Sequence, residues 1–524
     1  MTNSTEATTV VIAGAGPTGL TLACDLARRG IGVRVLDKAT EYFTGSRGKG
    51  ISQRTMEVFD DLGVAQQILA GGLLSLPMRT YDGQRVISET ISNSGLEPSP
   101  QIPYPIPVWH PQYRTESVLR EELSRHGVTV ELDHEVVGLD QTDTAVTVAV
   151  VHQGTTSKLR ADYVVGCDGG HSTIRRLIGL SFDVTPDETA KYSWVGDLRI
   201  EGLDPAASHR WSDPRRGMLL LSPFKDSQLW QFQFLPADGA STLGVPDLTE
   251  FRRIWQQWTG QPGDRLSDLR SASRFRINEH IADHYRLGRV FLAGDAAHVY
   301  SPAGGQGMTT GIQDAYNLGW KLAAVLDGAP AQLLDTYEAE RRPVAEHALK
   351  HSRQRWHEVN EAVSASQDPD IWALVTNQDT SQLDITYRGG PLALSTNKTA
   401  GLHVGDRAPD GICRDDAAQT PPRVFDLLRG PHWTVLMFGD TVPDAVAETF
   451  WGAPVHLHTI DDSGVRTSYG VSADAAVVVR PDGYIAKIAG PNELAHGRPL
   501  LAVPKPAKHQ PITPQKSPRM AACP

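Results

Sequence analysis

Val10-Val11-Ile12-Ala13 runs directly into Gly14-Ala15-Gly16-Pro17-Thr18-Gly19, and no other stretch restricts the fold of this chain so tightly. The four apolar residues read as a buried strand, Leu20 to Arg29 has helical character, and the glycines between them follow GxGxxG spacing. The first glycine permits the sharp turn, the second lets backbone approach a pyrophosphate, and the third lets helix pack on strand. The helix N-terminus adds free N–H groups and partial positive charge. After Gly30 a second strand, Ile31 to Leu36, ends in Asp37, about 20 residues past the glycines, where an acid can accept both ribose hydroxyls of an adenosine. Strand, glycine turn, helix, strand and acid together predict a dinucleotide site on a Rossmann-type α/β sheet.

Two later stretches repeat this logic. Tyr163-Val164-Val165-Gly166-Cys167 reads as a buried strand that ends in Asp168-Gly169 before a helix containing Ile174. Val290 to Ala293 is apolar again, and Gly294-Asp295 places a carboxylate at its end. Both acids are expected at the carboxyl edge of one sheet, where doubly wound folds bind ligands. Pro302, Gly304, Gly305 and Gly307 then carry almost no side-chain bulk, and Ala315, Leu318, Leu322, Val325 and Leu326 follow at helical spacing. A planar or phosphorylated ligand can lie against bare backbone there. Arg47, in a glycine-bounded loop, is either a ligand contact or a solvated side chain.

A chain of 524 residues exceeds one core, and about 150 residues per domain suggests two to four domains. From Ser181 to Arg276 the pattern turns to strands: Tyr192 to Ile200, Gly217 to Pro223 and Leu229 to Leu235. In the last, Trp230, Phe232 and Phe234 alternate with Gln231 and Gln233, so the glutamines face either solvent or a cavity. Leu333 to Arg355 reads as a long helix, and Gln367 to Gly405 as a linker. Beyond it Trp433 to Phe438 and Ala475 to Val479 read as strands, with Arg480-Pro481-Asp482-Gly483 as a hairpin turn into Tyr484-Ile485-Ala486. The proline-rich end from Pro504 has no apolar periodicity and is expected to be disordered.

A formal net charge of -11 argues against a nucleic-acid backbone as partner. No stretch reaches the roughly 18 uninterrupted apolar residues of a membrane span. Cys24, Cys167, Cys413 and Cys523 lie far apart, with no CxxC and no metal-ligand spacing, so reduced thiols in a cytoplasmic protein without a metal are expected.

Taken together, GAGPTG at Gly14, CDGGHSTIR at Cys167 and AGDAAHVYSPAGGQGM at Ala293 resemble the group A flavoprotein aromatic hydroxylases, single-component FAD monooxygenases. RAPD at Arg407 and RPDGY at Arg480 are similar to the thioredoxin-like C-terminal domain of phenol and polyketide hydroxylases, here without CxxC and so expected to serve packing or assembly. The resemblance implies an FAD-binding domain over 1–180 and 277–390, a β-rich substrate domain over 181–276, a thioredoxin-like domain over 400–500 and a tail over 501–524. It implies Gly14, Gly16 and Gly19 at the FAD pyrophosphate, with Pro17 and Thr18 in the same turn, and Asp37 with Lys38 at the adenosine ribose. Arg47 and Gln112 are implied beside the cofactor, Asp295 at the ribityl and pyrophosphate region, and Pro302, Gly305, Gly307 and Met308 at the flavin ring. Asp168 matches a position with roles toward both FAD and NAD(P)H. Thr309 stands where the family usually has Asn.

No second GxGxxG precedes a second acid, so NADPH is implied as a transient co-substrate without its own Rossmann domain. The implied reaction is hydroxylation of a polycyclic, polyketide-type aromatic compound by NAD(P)H and O₂ through a flavin C4a-hydroperoxide. The substrate is then a biosynthetic polyketide or an antibiotic being modified. Baeyer–Villiger insertion on the same fold, and FAD binding without turnover, are the alternatives. No side chain is obliged to act as a nucleophile, and His298 and Tyr300 next to the third motif read first as structural. Oligomeric state is left open by the sequence.

Overall fold

The structure, a computed structural model, describes residues 6–74, 76–91, 96–182, 192–213, 215–237, 244–276, 279–300, 306–365, 380–395, 397–413, 422–439, 447–471, 474–490 and 493. Pro302 and Gly305, most of the first half of the expected linker and the expected tail lie outside them.

Glu6–Ala13 pairs in parallel with Thr155–Gly166 on one side and Val33–Leu36 on the other. Val10, Val11 and Ile12 are fully buried, as a strand covered on both faces requires. The order across this eight-stranded sheet is Arg286–Leu287, Val290–Leu292, Thr155–Gly166, Glu6–Ala13, Val33–Leu36 and Val130–Glu131. Val146–His152 and Glu135–Gln141 branch off Thr155–Gly166 as an antiparallel pair. Gly166 is in register with both Ala13 and Leu292, and Ala13 with Leu36. Four parallel strands therefore end level, so Gly14, Asp37, Asp168 and Asp295 emerge along one edge.

Two helices hold that edge together. Pro17–Arg28 begins on a proline, whose fixed φ and missing N–H suit a first helical turn. It lies against Gly307–Leu326, whose Ile312, Ala315, Leu318 and Leu322 are wholly buried. Glycine at 294 and at 311 makes a notch for Thr18, since a Cβ at either position would stand 2.5 Å from Thr18 Oγ1. The third motif thus docks onto the first.

The second sheet has seven strands, in the order Leu266–Arg276, Tyr192–Ile200, Leu229–Pro236, Gly217–Pro223, Ser208–Asp213, Met78–Asp82 and Arg85–Thr90. Its last two strands come from residues 78–90, well before the stretch 181–276 in which strands are expected. One face carries a helix that the strand-like reading of this stretch overlooks, Leu248–Thr259. Asp247 caps it through the Glu250 N–H, and Gly260 at φ 67° ends it. Its Phe251, Ile254, Trp255 and Trp258 pack on Trp194, Trp211, Phe232 and Phe234. Gln231 and Gln233 face the other way.

A third sheet runs Thr449–Phe450, Ala453–Thr459, Trp433–Phe438, Ala475–Val479 and Ile485–Ala489. Ala453–Thr459 is parallel to Trp433–Phe438, and the last two strands form an antiparallel hairpin, as in thioredoxin-like sheets. Val435 and Met437 join Trp320 and Ala324 of the helix Gly307–Leu326 in one core, whereas Leu436 and Phe438 face Val465 and Tyr469 in another. The central strand is therefore buried at every position. The helix expected from Leu333 is Asp335–Ala365, preceded by a short turn at Ala331–Leu334. Among the described residues no helix is long and apolar enough to cross a membrane.

Candidate active site

The level strand ends open into a cavity of about 1300 Å³ that runs from the glycine turn to the second sheet. Gly14 has φ +105°, and a Cβ there would lie 2.3 Å from the Cys167 carbonyl oxygen, so only glycine fits this turn. Gly16 has open space where a side chain would be. Gly19 does not line the cavity but packs beneath it, its missing Cβ 2.0 Å from the Gly14 carbonyl oxygen. Pro17 and Thr18 complete the floor. Asp37 is held rigidly: Oδ2 accepts the Ala15 N–H at 2.8 Å and Oδ1 the Ala39 N–H at 2.9 Å. Lys38 follows it on the same wall.

Asp168 caps the helix Thr173–Leu177, Oδ2 accepting N–H groups from Thr173 at 2.6 Å and Ile174 at 3.1 Å. Its Oδ1 is buried without a partner. Asp295 is exposed to the cavity it lines; desolvation there raises its carboxyl, against the pull of His298 and Arg47. Arg47 stacks its guanidinium over Phe43 at 4.7 Å and reaches the same cavity. Gln112 Oε1 accepts the Gly48 N–H at 3.2 Å, tying the Arg47 loop to the helix Gln112–Arg125. Gly307 and Met308 line the cavity at the start of the helix Gly307–Leu326, with Thr309 next to them. Every described candidate except Gly19 thus reaches a single cavity.

His298 belongs to the support of this wall, whereas Tyr300 lines the cavity itself. His298 is fully buried, with Nε2 2.5 Å from Asp314 Oδ2, and Arg341 Nε donates to Asp314 Oδ1 at 2.7 Å. Burial alone would raise the Asp314 carboxyl, but His298 and Arg341 hold it below the usual carboxylate range.

Several cavity residues escape the sequence reading. Gln231 and Gln233 face the cavity, and Gln231 Nε2 donates to Ser46. Ser46 Oγ in turn donates to Asp197 Oδ1 at 2.5 Å. Trp109, Tyr192 and Arg274 line the same end, with the Arg274 guanidinium 3.5 Å from the centre of the Tyr192 ring. Lys49 lies among them. Glu116 stands on the cofactor side, pushed up to about 7 by burial against the pull of Gln112 and Arg120. Only the alternation of Trp230, Phe232 and Phe234 with the glutamines signalled any of this.

A drug-sized ligand takes a pocket of roughly 300–1,000 Å³, so this cavity has room for an extended cofactor and a second molecule. Bare backbone at Gly14 and Gly16, a fixed acid past the second strand and an unpartnered buried carboxylate oxygen at Asp168 fit a dinucleotide at one end. The other end is aromatic and amide-lined. The arrangement suits a reaction between a cofactor ring and an aromatic substrate enclosed by the second sheet.

Comparison with known proteins agrees. The family described as FAD binding domain matches residues 7–352, and the one described as aromatic-ring hydroxylase, C-terminal, matches residues 401–498. A flavin-dependent monooxygenase of Mycobacteroides abscessus is 43% identical over 484 residues, covering 91% of this chain and 96% of its own. The 6-methylpretetramide 4-monooxygenase of Streptomyces rimosus is 32% identical, covering 91% and 90%. Among solved structures, the anhydrotetracycline hydroxylase OxyS from Streptomyces rimosus superposes with a TM-score of 0.72 at 30% identity, covering 94% of this chain and 97% of that one. With its glycine turn, its edge of acids and its thioredoxin-like third sheet, the chain belongs to the FAD-dependent aromatic-ring hydroxylases and is a flavoprotein monooxygenase.

Proposed function

We propose that this monooxygenase hydroxylates a polycyclic phenol of the polyketide type, with NADPH as reductant. The observation that carries the reading is the continuity of one cavity from the Gly14 turn to the aromatic, amide-lined face formed by Tyr192, Gln231 and Gln233. The naming of relatives for 6-methylpretetramide and anhydrotetracycline, both tetracyclic, supports the substrate class.

In this reading Gly14, Gly16, Pro17 and Thr18 hold the FAD pyrophosphate on backbone N–H groups, with Gly19 fixing the turn from below. Asp37 accepts the ribose hydroxyls and Lys38 flanks them. Asp295 and Asp168 bind hydroxyl and amide groups at the strand ends. Arg47, Gln112, Gly307 and Met308 border the flavin ring, together with Pro302 and Gly305. Bound FAD supplies hydride acceptance from NADPH and activation of O₂. The protein's share is to orient the ring and keep water out, for which Trp109, Tyr192 and the glutamines provide apolar faces and fixed hydrogen-bond partners. The three sheets are then the FAD, substrate and C-terminal domains, with residues 78–90 assigned to the substrate domain. Unpaired thiols at Cys24, Cys167 and Cys413 support a reducing, cytoplasmic setting.

Purified FAD-loaded protein, NADPH and ¹⁸O₂ with anhydrotetracycline, or with pentachlorophenol as a single-ring control, test the reading by mass spectrometry. The tetracyclic compound is expected to gain one labelled oxygen on a ring carbon. NADPH oxidation without labelled product from any polycyclic phenol would overturn the assignment, and label inserted beside a ketone would identify Baeyer–Villiger chemistry.

A further inference from the structure

Lys49 holds a position that neither the cofactor cradle nor the packing of the second sheet explains. It precedes the short strand Gly50–Ile51, which pairs with Val108–Trp109. Its side chain crosses to the second sheet, where Nζ donates to Ser222 Oγ at 2.7 Å and lies 5.0 Å from the centre of the Trp109 ring. The residue lines the cavity at its aromatic, amide-lined end. An ammonium carries three donors, and a single hydroxyl takes only one of them.

The surroundings do not neutralise it. Asp197, on Tyr192–Ile200, is the charged group that acts on it, but no ion pair forms among the described residues, and the two Asp197 oxygens accept from Ser46 Oγ at 2.5 Å and Ser271 Oγ at 3.1 Å. The strand Gly217–Pro223 offers the Ser222 hydroxyl, Val108–Trp109 an indole face, and Leu229–Pro236 an amide at Gln231, already engaged by Ser46. Lys321 shows what a structural lysine in this protein looks like: its Nζ meets Glu340 at 2.7 Å and Asn317 at 2.8 Å, wholly buried. Lys49 has no such partner. Burial pushes its amine down to about 7, so the free base is well populated near neutrality.

We propose that Lys49 is the proton acceptor for the phenol of the bound substrate. The phenolic O–H bond breaks with its electron pair left on oxygen, the proton joins the Nζ lone pair, and the ammonium so formed holds the phenolate beside the Trp109 face. An ionised ring is the more electron-rich partner for oxygen transfer, and a base whose affinity for protons matches the working pH is the effective one. The assignment rests on the hydroxylase reading above and names a residue for it.

The test is an equilibrium measurement on oxidised, FAD-loaded protein without NADPH. In weakly buffered solution at slightly alkaline pH, 1-hydroxypyrene and 2-naphthol, polycyclic phenols still protonated at that pH and whose absorbance reports ionisation, are titrated into the wild type, Lys49→Met and Lys49→Arg. The wild type is expected to bind at least one probe as its phenolate with no net release of protons, because the proton stays on Nζ. Lys49→Arg, a fixed cation, should hold the phenolate but release one proton per probe bound. Lys49→Met should keep its FAD and bind the neutral phenol, the ionisation midpoint of the bound probe rising by at least one pH unit. Neutral phenol in the wild-type complex, phenolate retained by Lys49→Met, or no binding of either probe overturns the proposal. Oxygen incorporation is followed separately, so a protein that binds phenolate as described but hydroxylates nothing would sink the reaction assignment and leave the proton acceptor standing.

Discussion

A carbonyl 2.3 Å from where its Cβ would stand, at φ +105°, makes Gly14 the least replaceable residue of the cofactor turn. Gly14→Ala adds left-handed backbone strain of about 1–2 kcal/mol to a clash with the Cys167 backbone. The expected result is at least a tenfold fall in flavin absorbance per protein and a lower melting temperature, both read on purified protein. Lys49 carries the opposite signature. Its amine titrates near 7 in the folded chain against 10.5 as the ordinary value, so the unfolded chain binds more protons between those values and stability rises with pH across that window. Lys49→Met removes the cost of burying an ammonium, so its melting temperature should exceed the wild type's most at pH below 7 and converge with it as pH climbs. An advantage over the wild type no larger at low pH than at high pH would refute that account of the site. Asp37, Asp168 and Asp295 were legible in the sequence because an acid after an apolar run has a defined place at a strand end. Lys49 was not, because a lysine between glycines reads as solvated, and the hydroxyl that meets it lies 173 residues further along the chain.

At the scale of elements, periodicity located the strands Tyr192–Ile200, Gly217–Pro223 and Leu229–Pro236 and the helices beside the glycine turns. The substrate sheet was read incompletely because Met78–Asp82 joins it through a parallel pairing with Ser208–Asp213, which local sequence cannot announce. The helix Leu248–Thr259 was overlooked although Phe251, Ile254, Trp255 and Trp258 recur at helical spacing after a capping Asp247; the strands around it set the reading. Trp255 is fully buried in that helix, and Trp255→Ala should cost about 3–5 kcal/mol in urea unfolding. Gln233 faces the cavity from the opposite side of the sheet. Gln233→Leu should leave FAD content intact and shift kcat/KM between two polycyclic phenols differing in one hydroxyl by tenfold or more, about 1.4 kcal/mol. An unchanged ratio would remove the glutamine from substrate recognition.

The whole molecule is joined by charges that no local pattern displays. Arg480 and Asp482, legible only as a hairpin turn, reach into the FAD-binding part, where Arg480 meets Glu340 Oε1 at 2.6 Å and Asp482 Oδ2 accepts from Trp320 Nε1 at 3.1 Å. Lys321 and Asn317 bond the same glutamate. Burial alone would raise the Glu340 carboxyl, yet Arg480 and Lys321 lower it to about 2. Its contribution is therefore complete above 4.5, its ordinary value, and is lost as pH falls toward 2. Glu340→Ala leaves Lys321 without its buried carboxylate and Arg480 with Asp482 alone, and should cost about 3–5 kcal/mol, with acid unfolding beginning at higher pH, as followed by tryptophan fluorescence. The central claim is that these parts assemble a monooxygenase whose flavin answers to a polycyclic phenol in the second sheet's cavity. Stopped-flow absorbance tests it most directly, with anaerobic reduction by NADPH followed by mixing with ¹⁸O₂, in the presence and absence of anhydrotetracycline. The account predicts faster flavin bleaching with the ligand and one labelled oxygen in the product; a flavin that stays oxidised with every phenol offered would contradict it.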